Sequence, residues 1–155
     1  MQQYSQFHSC NMRKGRHSEI GQYYFLTAVT HTRRPVFYNF RAARICIGSM
    51  RIQHEKGLVN SLAFVIMPEH FHWLVELRQG KLSDLMKKVK GETARRLNIH
   101  FEKSGRFWQP GYHDHALRTD EDLRQTARYL VNNPLRAGLV ENLQSYPHWD
   151  AIWLE

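Results

Sequence analysis

The 155-residue chain is 42% hydrophobic and 23% charged, a globular composition for one domain with one core, not the polar profile of a disordered chain. No apolar run reaches the roughly 18 residues a membrane span needs, and Met1 to Arg16 lacks the apolar stretch of a secretory signal, so a cytoplasmic protein is expected. The formal charge of +8 fits a polyanionic partner, nucleic acid first among them, or simply a basic soluble protein.

Residues 1–20 are polar and basic (Arg13, Lys14, Arg16, His17) and read as a flexible arm ahead of a single domain over 21–155. Cys10 and Cys46 belong to no paired motif. They read as a tail thiol and a buried helix thiol, which argues against structural zinc. Tyr23 to Thr30 is aromatic and β-branched and predicts a buried strand. The basic loop His31-Thr32-Arg33-Arg34-Pro35 breaks it. A helix is expected from about Asn39 to Glu55, with Phe40, Ala43, Ile47 and Met50 at spacings of three and four, ended by Gly57. Leu62 to Met67 is apolar at nearly every position and predicts a central strand. Pro68-Glu69 turns the chain into a third strand, His70 to Leu77.

A second helix is expected from Lys81 to about Ile99, with Leu82, Leu85, Met86, Val89 and Leu97 on its apolar face. Its lysines and arginines form either a solvated face or a phosphate-tracking one. Phe107 to Arg118 predicts a strand interrupted by Pro110-Gly111. Asp120 to Asn133 predicts a third helix, capped by Thr119 or Asp120 and stopped by Pro134. The last segment is read as short pieces, with Trp149 and Trp153 packed back on the body. Strand, helix, strand, strand, helix, strand is the split βαβ order of an α+β ferredoxin-like fold. It implies an antiparallel sheet with helices on one face, an extra C-terminal helix, and a second face left to hold a ligand.

Three groups of residues could carry chemistry. His70 and His72 alternate onto one face of a strand. Two imidazoles so placed can share a cation, with their other ring nitrogens fixed by acceptors. Spacing alone fits an incidental pair as well. Tyr129 and Asn133 are four apart on one helix and share a face. A phenol can be a covalent nucleophile, and an amide oxygen suits Mg²⁺ or Mn²⁺. The bland alternative is a core-edge tyrosine and a helix-terminating asparagine. Lys14, Arg16, Arg33, Arg34 and Arg118 lie in loops or near element ends, and Trp108 and Tyr112 lie near cations. That suits stacked, unpaired bases, although Trp108 equally suits a core position.

These groups sit within four motifs. They are Gly21 to Thr27, Met67-Pro68-Glu69-His70-Phe71-His72, Phe107 to Arg118, and Tyr129 to Val140. In this order they resemble the REP-associated tyrosine transposases, a branch of the single-tyrosine transposases within the HUH (His-hydrophobic-His) nucleases. The resemblance runs from about Gly21 to Trp149. It implies that His70 and His72 bind the metal, that Tyr129 is the nucleophile, and that Asn133 is the third polar ligand, where related branches carry glutamine. The implied partner is a single-stranded DNA hairpin formed by a bacterial palindromic repeat, with a short flanking tetranucleotide, acted on by a monomer. Implied too is a 5′-phosphotyrosine intermediate formed with Mg²⁺ or Mn²⁺. Two other readings stay open: a hairpin DNA or RNA binding module without turnover, and a phosphodiesterase using water in which Tyr129 is structural.

Overall fold

The computed structural model describes residues 18–118 and 120–153. Lys14, Arg16, Cys10 and the cap position Thr119 therefore lie outside the described residues, as does most of the basic arm. Five strands, β1 (Tyr23–Val29), β2 (Val59–Ile66), β3 (His70–Leu77), β4 (His113–Leu117) and β5 (Trp149–Ala151), form one sheet of order β4-β1-β3-β2-β5. Every pairing is antiparallel. The helices are α1 (Phe40–Glu55), α2 (Leu82–His100), α3 (Asp120–Val131) and the single turn α4 (Asn133–Arg136). None of the described helices is long and apolar enough to cross a membrane.

Strand alternation divides the apolar residues between two cores. From β1 and β3, Tyr24, Leu26, Ala28, Phe71, Trp73, Val75 and Leu77 face α1 and α2. α1 begins where the Asn39 side chain accepts a hydrogen bond from the Ala42 amide at 3.0 Å, and it buries Ala43, Cys46, Ile47 and Met50. α2 opposes it with Leu82, Leu85, Met86, Val89 and Leu97. The indole nitrogen of Trp73 is satisfied by the Ser61 hydroxyl at 2.8 Å. Leu26, wholly inaccessible, lies in the middle of this core. Leu26→Ala is expected to cost about 2–5 kcal/mol in urea unfolding, through lost transfer energy plus a residual cavity.

The opposite face is not left free. Phe25, Leu62, Val65 and Leu74 pack under Leu123, Ala127, Leu130 and Val131 of α3, with Tyr146, Trp149 and Trp153 alongside. The strong apolar stripe of α3 must be buried somewhere, and the only uncovered sheet surface is this one. Three boundaries also differ from expectation. β2 starts at Val59 and contains a register shift between Ser61 and Ala63, which hid its first residues from any alternation pattern. The expected strand from Phe107 to Arg118 survives only as His113–Leu117 plus an isolated bridge between Thr30 and Trp108. Pro110 and the left-handed Gly111 (φ +73°) bend the intervening chain out of the ladder. α3 stops at Val131, and Asn133 opens α4.

That bent segment is tied to α2 by Lys90, whose ammonium donates to the carbonyl oxygens of Gln109 (3.0 Å) and Gly111. Trp108 donates its indole N–H to the Lys90 carbonyl at 2.9 Å. Burial pushes the Lys90 amine down to about 8, below the ordinary lysine value of about 10.4. The unfolded chain therefore holds this proton at pH values where the folded chain has begun to lose it. The sign is that stability rises with pH between about 8 and 10.4, and the burial penalty is complete below that window. Urea midpoints at pH 7.5 and 9.5 are expected to show a rise in the wild type that Lys90→Met lacks.

Candidate metal and nucleophile site

The site is built on β3 and the turn that precedes it. Met67 N–H donates to the His70 carbonyl at 2.8 Å, closing the Pro68-Glu69 turn. The loop after β1 is stapled to this turn. Thr30 N–H donates to Glu69 O at 2.9 Å and Phe37 N–H to Pro68 O at 3.0 Å. The buried Thr30 hydroxyl lies 2.8 Å from the Arg34 carbonyl oxygen and 3.1 Å from that of Glu69. Within this loop Thr32 (φ 54°) and Arg33 (φ 50°) are both left-handed, a strained arrangement for two consecutive non-glycine residues.

His70 and His72 project from the same face of β3, with ring centroids 4.6 Å apart. Each has its Nδ1 engaged. His70 Nδ1 is 2.9 Å from Glu69 Oε1, and His72 Nδ1 is 2.7 Å from Thr27 Oγ1 on the neighbouring strand. Thr27 pairs with His72 in the register of β1 and β3, and with His113 in the register of β1 and β4. His72 stacks on Phe25 at 4.9 Å. Burial, first, and then the positive charges of His70, Arg136 and His113 hold His72 well below the ordinary imidazole range. It is therefore neutral near pH 7, the form in which imidazole binds metals. The His70 contact, more than the opposing burial, holds the Glu69 carboxyl below its usual range, helped by the nearby Arg33 charge. With both Nδ1 atoms occupied, the Nε2 atoms are the ones left for a cation, the arrangement common around bound metals.

Tyr129 and Asn133 come from the other layer. Tyr129 lies near the end of α3 and is partly exposed. The Asn133 Nδ2 donates to the Leu130 carbonyl at 3.0 Å and approaches that of Tyr129 at 3.5 Å. That contact turns its amide nitrogen toward the helix and leaves Oδ1 as the donor atom for a cation. Two imidazole nitrogens with an amide oxygen are ligand types that suit a divalent ion. No group of three or more His, Cys, Asp or Glu side chains that could hold a metal ion gathers among the described residues.

Arg136 is the residue that sequence reasoning missed. Its guanidinium lies 3.8 Å from the centroid of the Tyr129 ring and donates to the Tyr129 carbonyl. Its charge also reaches His72. One cation thus rests on the tyrosine and acts electrostatically on His72. A second phenol, Tyr146, approaches the turn from the opposite side and donates its hydroxyl to the Ile66 carbonyl. Burial, with the Glu69 charge, pushes it up to about 12, so it stays a protonated donor.

Of the expected nucleic-acid contacts, Arg33 is exposed beside Glu69 and Arg118 is exposed just after β4. Arg34 is partly buried and donates to the Arg106 carbonyl at 3.0 Å. Trp108 is a correction. It is 6% exposed, packed among Phe37, Phe71 and Phe107, and its indole N–H is consumed by Lys90. A ring so enclosed has no face for a base. The exposed aromatics are instead Tyr38 (67%) and Phe40 (61%), in the segment stapled to the Pro68-Glu69 turn. Phe40 is expected on the apolar stripe of α1 by its spacing, but it sits exposed at the first position of the helix, so spacing gives no signal for it.

The fold matches solved structures. A REP-associated tyrosine transposase bound to a REP hairpin superposes with a TM-score of 0.74, over 86% of this chain and 79% of that one, at 22% identity; the likeness is one of fold. A REP-associated tyrosine transposase from Escherichia coli K12 is 28% identical over 87 residues, 55% of this chain and 50% of its own length. A relative from Haemophilus influenzae is 28% identical over 100 residues, 57% of this chain and 56% of its own. The matched region thus spans about half the length of these curated relatives. The model of the family described as transposase IS200-like matches residues 19–133, a span that contains both histidines, Tyr129 and Asn133. The chain therefore belongs to the IS200-like transposase family and, within it, resembles the REP-associated tyrosine transposases.

Proposed function

We propose that the protein nicks and rejoins single-stranded DNA at palindromic hairpins of the REP type, through a covalent link to Tyr129. The observation that supports this best is the Arg136 guanidinium against the Tyr129 ring, its charge felt by His72, one of two same-face histidines whose Nδ1 atoms are already engaged. His70, His72 and Asn133 would hold Mg²⁺ or Mn²⁺, which when bound supplies Lewis-acid polarisation of a phosphate. Glu69 and Thr27 fix the imidazole tautomers. Arg136 holds the phenol in one orientation and presents a planar fork to non-bridging phosphate oxygens. The Tyr129 hydroxyl oxygen attacks phosphorus in line. A new O–P bond forms as the bond to the 3′ oxygen breaks. The phenol releases its proton to solvent as it attacks, the 3′ oxygen takes up a proton from solvent and leaves as a hydroxyl, and the 5′ phosphate stays on tyrosine. Attack by that hydroxyl, or by another strand's, reverses the step and releases Tyr129. In this reading the protein acts alone, as a monomer in the cytoplasm, and reads a short flank beside the hairpin with Arg33, Arg34 and Arg118, together with Lys14 and Arg16 of the arm.

The test is incubation with a single-stranded hairpin oligonucleotide and Mn²⁺ or Mg²⁺, followed by denaturing electrophoresis. The expected result is a covalent protein–DNA band that requires metal and is lost in His70→Ala. Cleavage without that band would make water the attacker. Tight binding without cleavage in either metal would make the protein a hairpin-binding module. Thr27→Val removes only the hydroxyl that engages His72 Nδ1. Its expected cost is about 10–100-fold in Mn²⁺ affinity, read by titration calorimetry, with the hairpin affinity unchanged.

A further inference from the structure

The turn that presents His70 is fastened on a second side, by the segment that leads into β5. β5 pairs with β2 from Ala63 opposite Ala151 to Val65 opposite Trp149, and two further contacts carry that pairing past the strand. The Ile66 N–H donates to the His148 carbonyl at 2.9 Å, and the Tyr146 hydroxyl donates to the Ile66 carbonyl. Both main-chain polar groups of Ile66 are thus held by residues 146–148. Only Met67, Pro68 and Glu69 separate Ile66 from His70. Ile66 is wholly inaccessible, so its carbonyl is left unsatisfied when the phenol oxygen is removed. The phenol is itself fixed. Its ring meets the His148 ring edge-on, with centroids 5.6 Å apart, and the His148 ring lies 5.2 Å from that of Phe40 at the start of α1. Burial, first, and then the Glu69 charge raise the Tyr146 phenol, and Glu69 is the residue that engages His70 Nδ1 at 2.9 Å. One phenol therefore meets the chain entering the turn directly and the carboxylate leaving it through space. The bonds from Phe37 and Thr30 end on the carbonyls of Pro68 and Glu69, so the two fastenings hold different parts of the turn.

We infer that Tyr146 is a positioning residue for His70: its hydroxyl fixes the Ile66 carbonyl, and with it the direction in which the Met67-Pro68-Glu69 turn delivers the first imidazole of the pair. The inference rests on the strand-transfer reading for the task of His70, which is to hold a divalent cation. Tyr146 itself touches neither cation nor DNA in this scheme. On the β2 side the ladder ends with Ile66 opposite Phe71, one residue short of His70, the first residue of β3. The placement of His70 on that side is therefore left to the turn. Pro68 has a restricted φ, so a shift at Ile66 passes along the turn, and the bond from Met67 N–H to the His70 carbonyl at 2.8 Å carries it across. His72 lies inside the ladder, opposite Thr27 on one side and Val65 on the other. A site with one ligand set by the ladder and one by the turn loses cation affinity, rather than chemistry, when the turn loosens.

The test compares Tyr146→Phe with Trp149→Phe in the full chain. Both keep an aromatic ring and remove one hydrogen bond from the same segment, but Trp149 donates to the Leu143 carbonyl, at 3.1 Å, and not to the turn. Titration calorimetry with Mn²⁺ is expected to show about tenfold weaker binding in Tyr146→Phe, the low end for loss of a group that orients a metal ligand, and a change within about twofold in Trp149→Phe. At saturating Mn²⁺ the rate of adduct formation on a single-stranded hairpin is expected to stay within about threefold in Tyr146→Phe, which separates cation affinity from chemistry. Hydrogen exchange at the Met67 amide, read without metal, is expected to be about tenfold faster in Tyr146→Phe and unchanged in Trp149→Phe. Unchanged Mn²⁺ affinity or unchanged Met67 exchange in Tyr146→Phe would overturn the inference. So would an equal loss in Trp149→Phe, or a wild type that binds no Mn²⁺. Weaker Mn²⁺ binding and faster Met67 exchange in a protein that never forms a covalent adduct would uphold the role of Tyr146 while removing the strand-transfer reading.

Discussion

Tyr129→Phe is expected to abolish the covalent protein–DNA adduct and to lower hairpin cleavage by about 10⁴-fold or more, the scale seen when a nucleophile is removed from a constellation that acts as a unit. The substitution deletes one oxygen and keeps the ring on which Arg136 rests. Tyr129 is only partly buried, so the unfolding free energy is expected to move by no more than about 0.5 kcal/mol, and hairpin affinity by no more than about threefold. Tyr146 cannot substitute. Its hydroxyl is committed to the Ile66 carbonyl, and burial keeps it protonated up to about 12. An adduct persisting in the phenylalanine variant, located by peptide mapping, would remove Tyr129 from the reaction.

Arg136→Ala is expected to slow adduct formation by about 10²–10³-fold, the loss that follows removal of one preorganised donor to a developing oxyanion. Two contributions combine. The guanidinium rests on the Tyr129 ring and donates to the Tyr129 carbonyl, and in the proposed reaction its charge would offset that building on the phosphate. The loss is expected in kcat, with KM for the hairpin changed by less than about fivefold, since an interaction made mainly in the transition state lowers kcat and kcat/KM together. Arg136→Lys is expected to recover part of the rate. A lysine restores the charge but not the planar fork or the stacking. A variant that loses hairpin affinity while kcat is unchanged would reduce Arg136 to a ground-state phosphate contact.

Much of this arrangement was legible in the chain. α1 and α2 follow from apolar residues at spacings of three and four, and the common face of His70 and His72 follows from alternation along a strand. What stayed hidden has physical causes. β5 has three residues, too few for any periodicity, and pairs only with the edge of β2. The segment from Phe107 onward has the composition of a strand, but Pro110 and Gly111 remove it from the ladder, and Lys90 holds it from the side. Trp108 had two readings from composition alone, and the packing of Phe37 and Phe71 around it decided for the core. The helix carrying Tyr129 was expected to run through Asn133. The chain breaks at Asn132, and the Asn133 side chain returns to the Leu130 carbonyl. Arg136 lies seven residues after Tyr129, two helical turns on, but Pro134 reads as a helix stop and hid that the helical path resumes over Asn133–Arg136.

The strand that carries the histidines is paired on both sides, with β1 along one edge and β2 along the other. Its neighbouring residues Phe71, Trp73 and Leu74 are wholly inaccessible. Such a strand opens only when the whole domain unfolds, whereas a surface helix joined to the sheet by one face can detach in a smaller event. The two halves of the site therefore belong to different tiers of local stability. The two histidines are set in the part of the molecule that moves last, and Tyr129 rides on a part that can move alone. In the proposed reaction, that division would let a DNA end on the tyrosine shift or exchange while the histidine pair keeps its geometry.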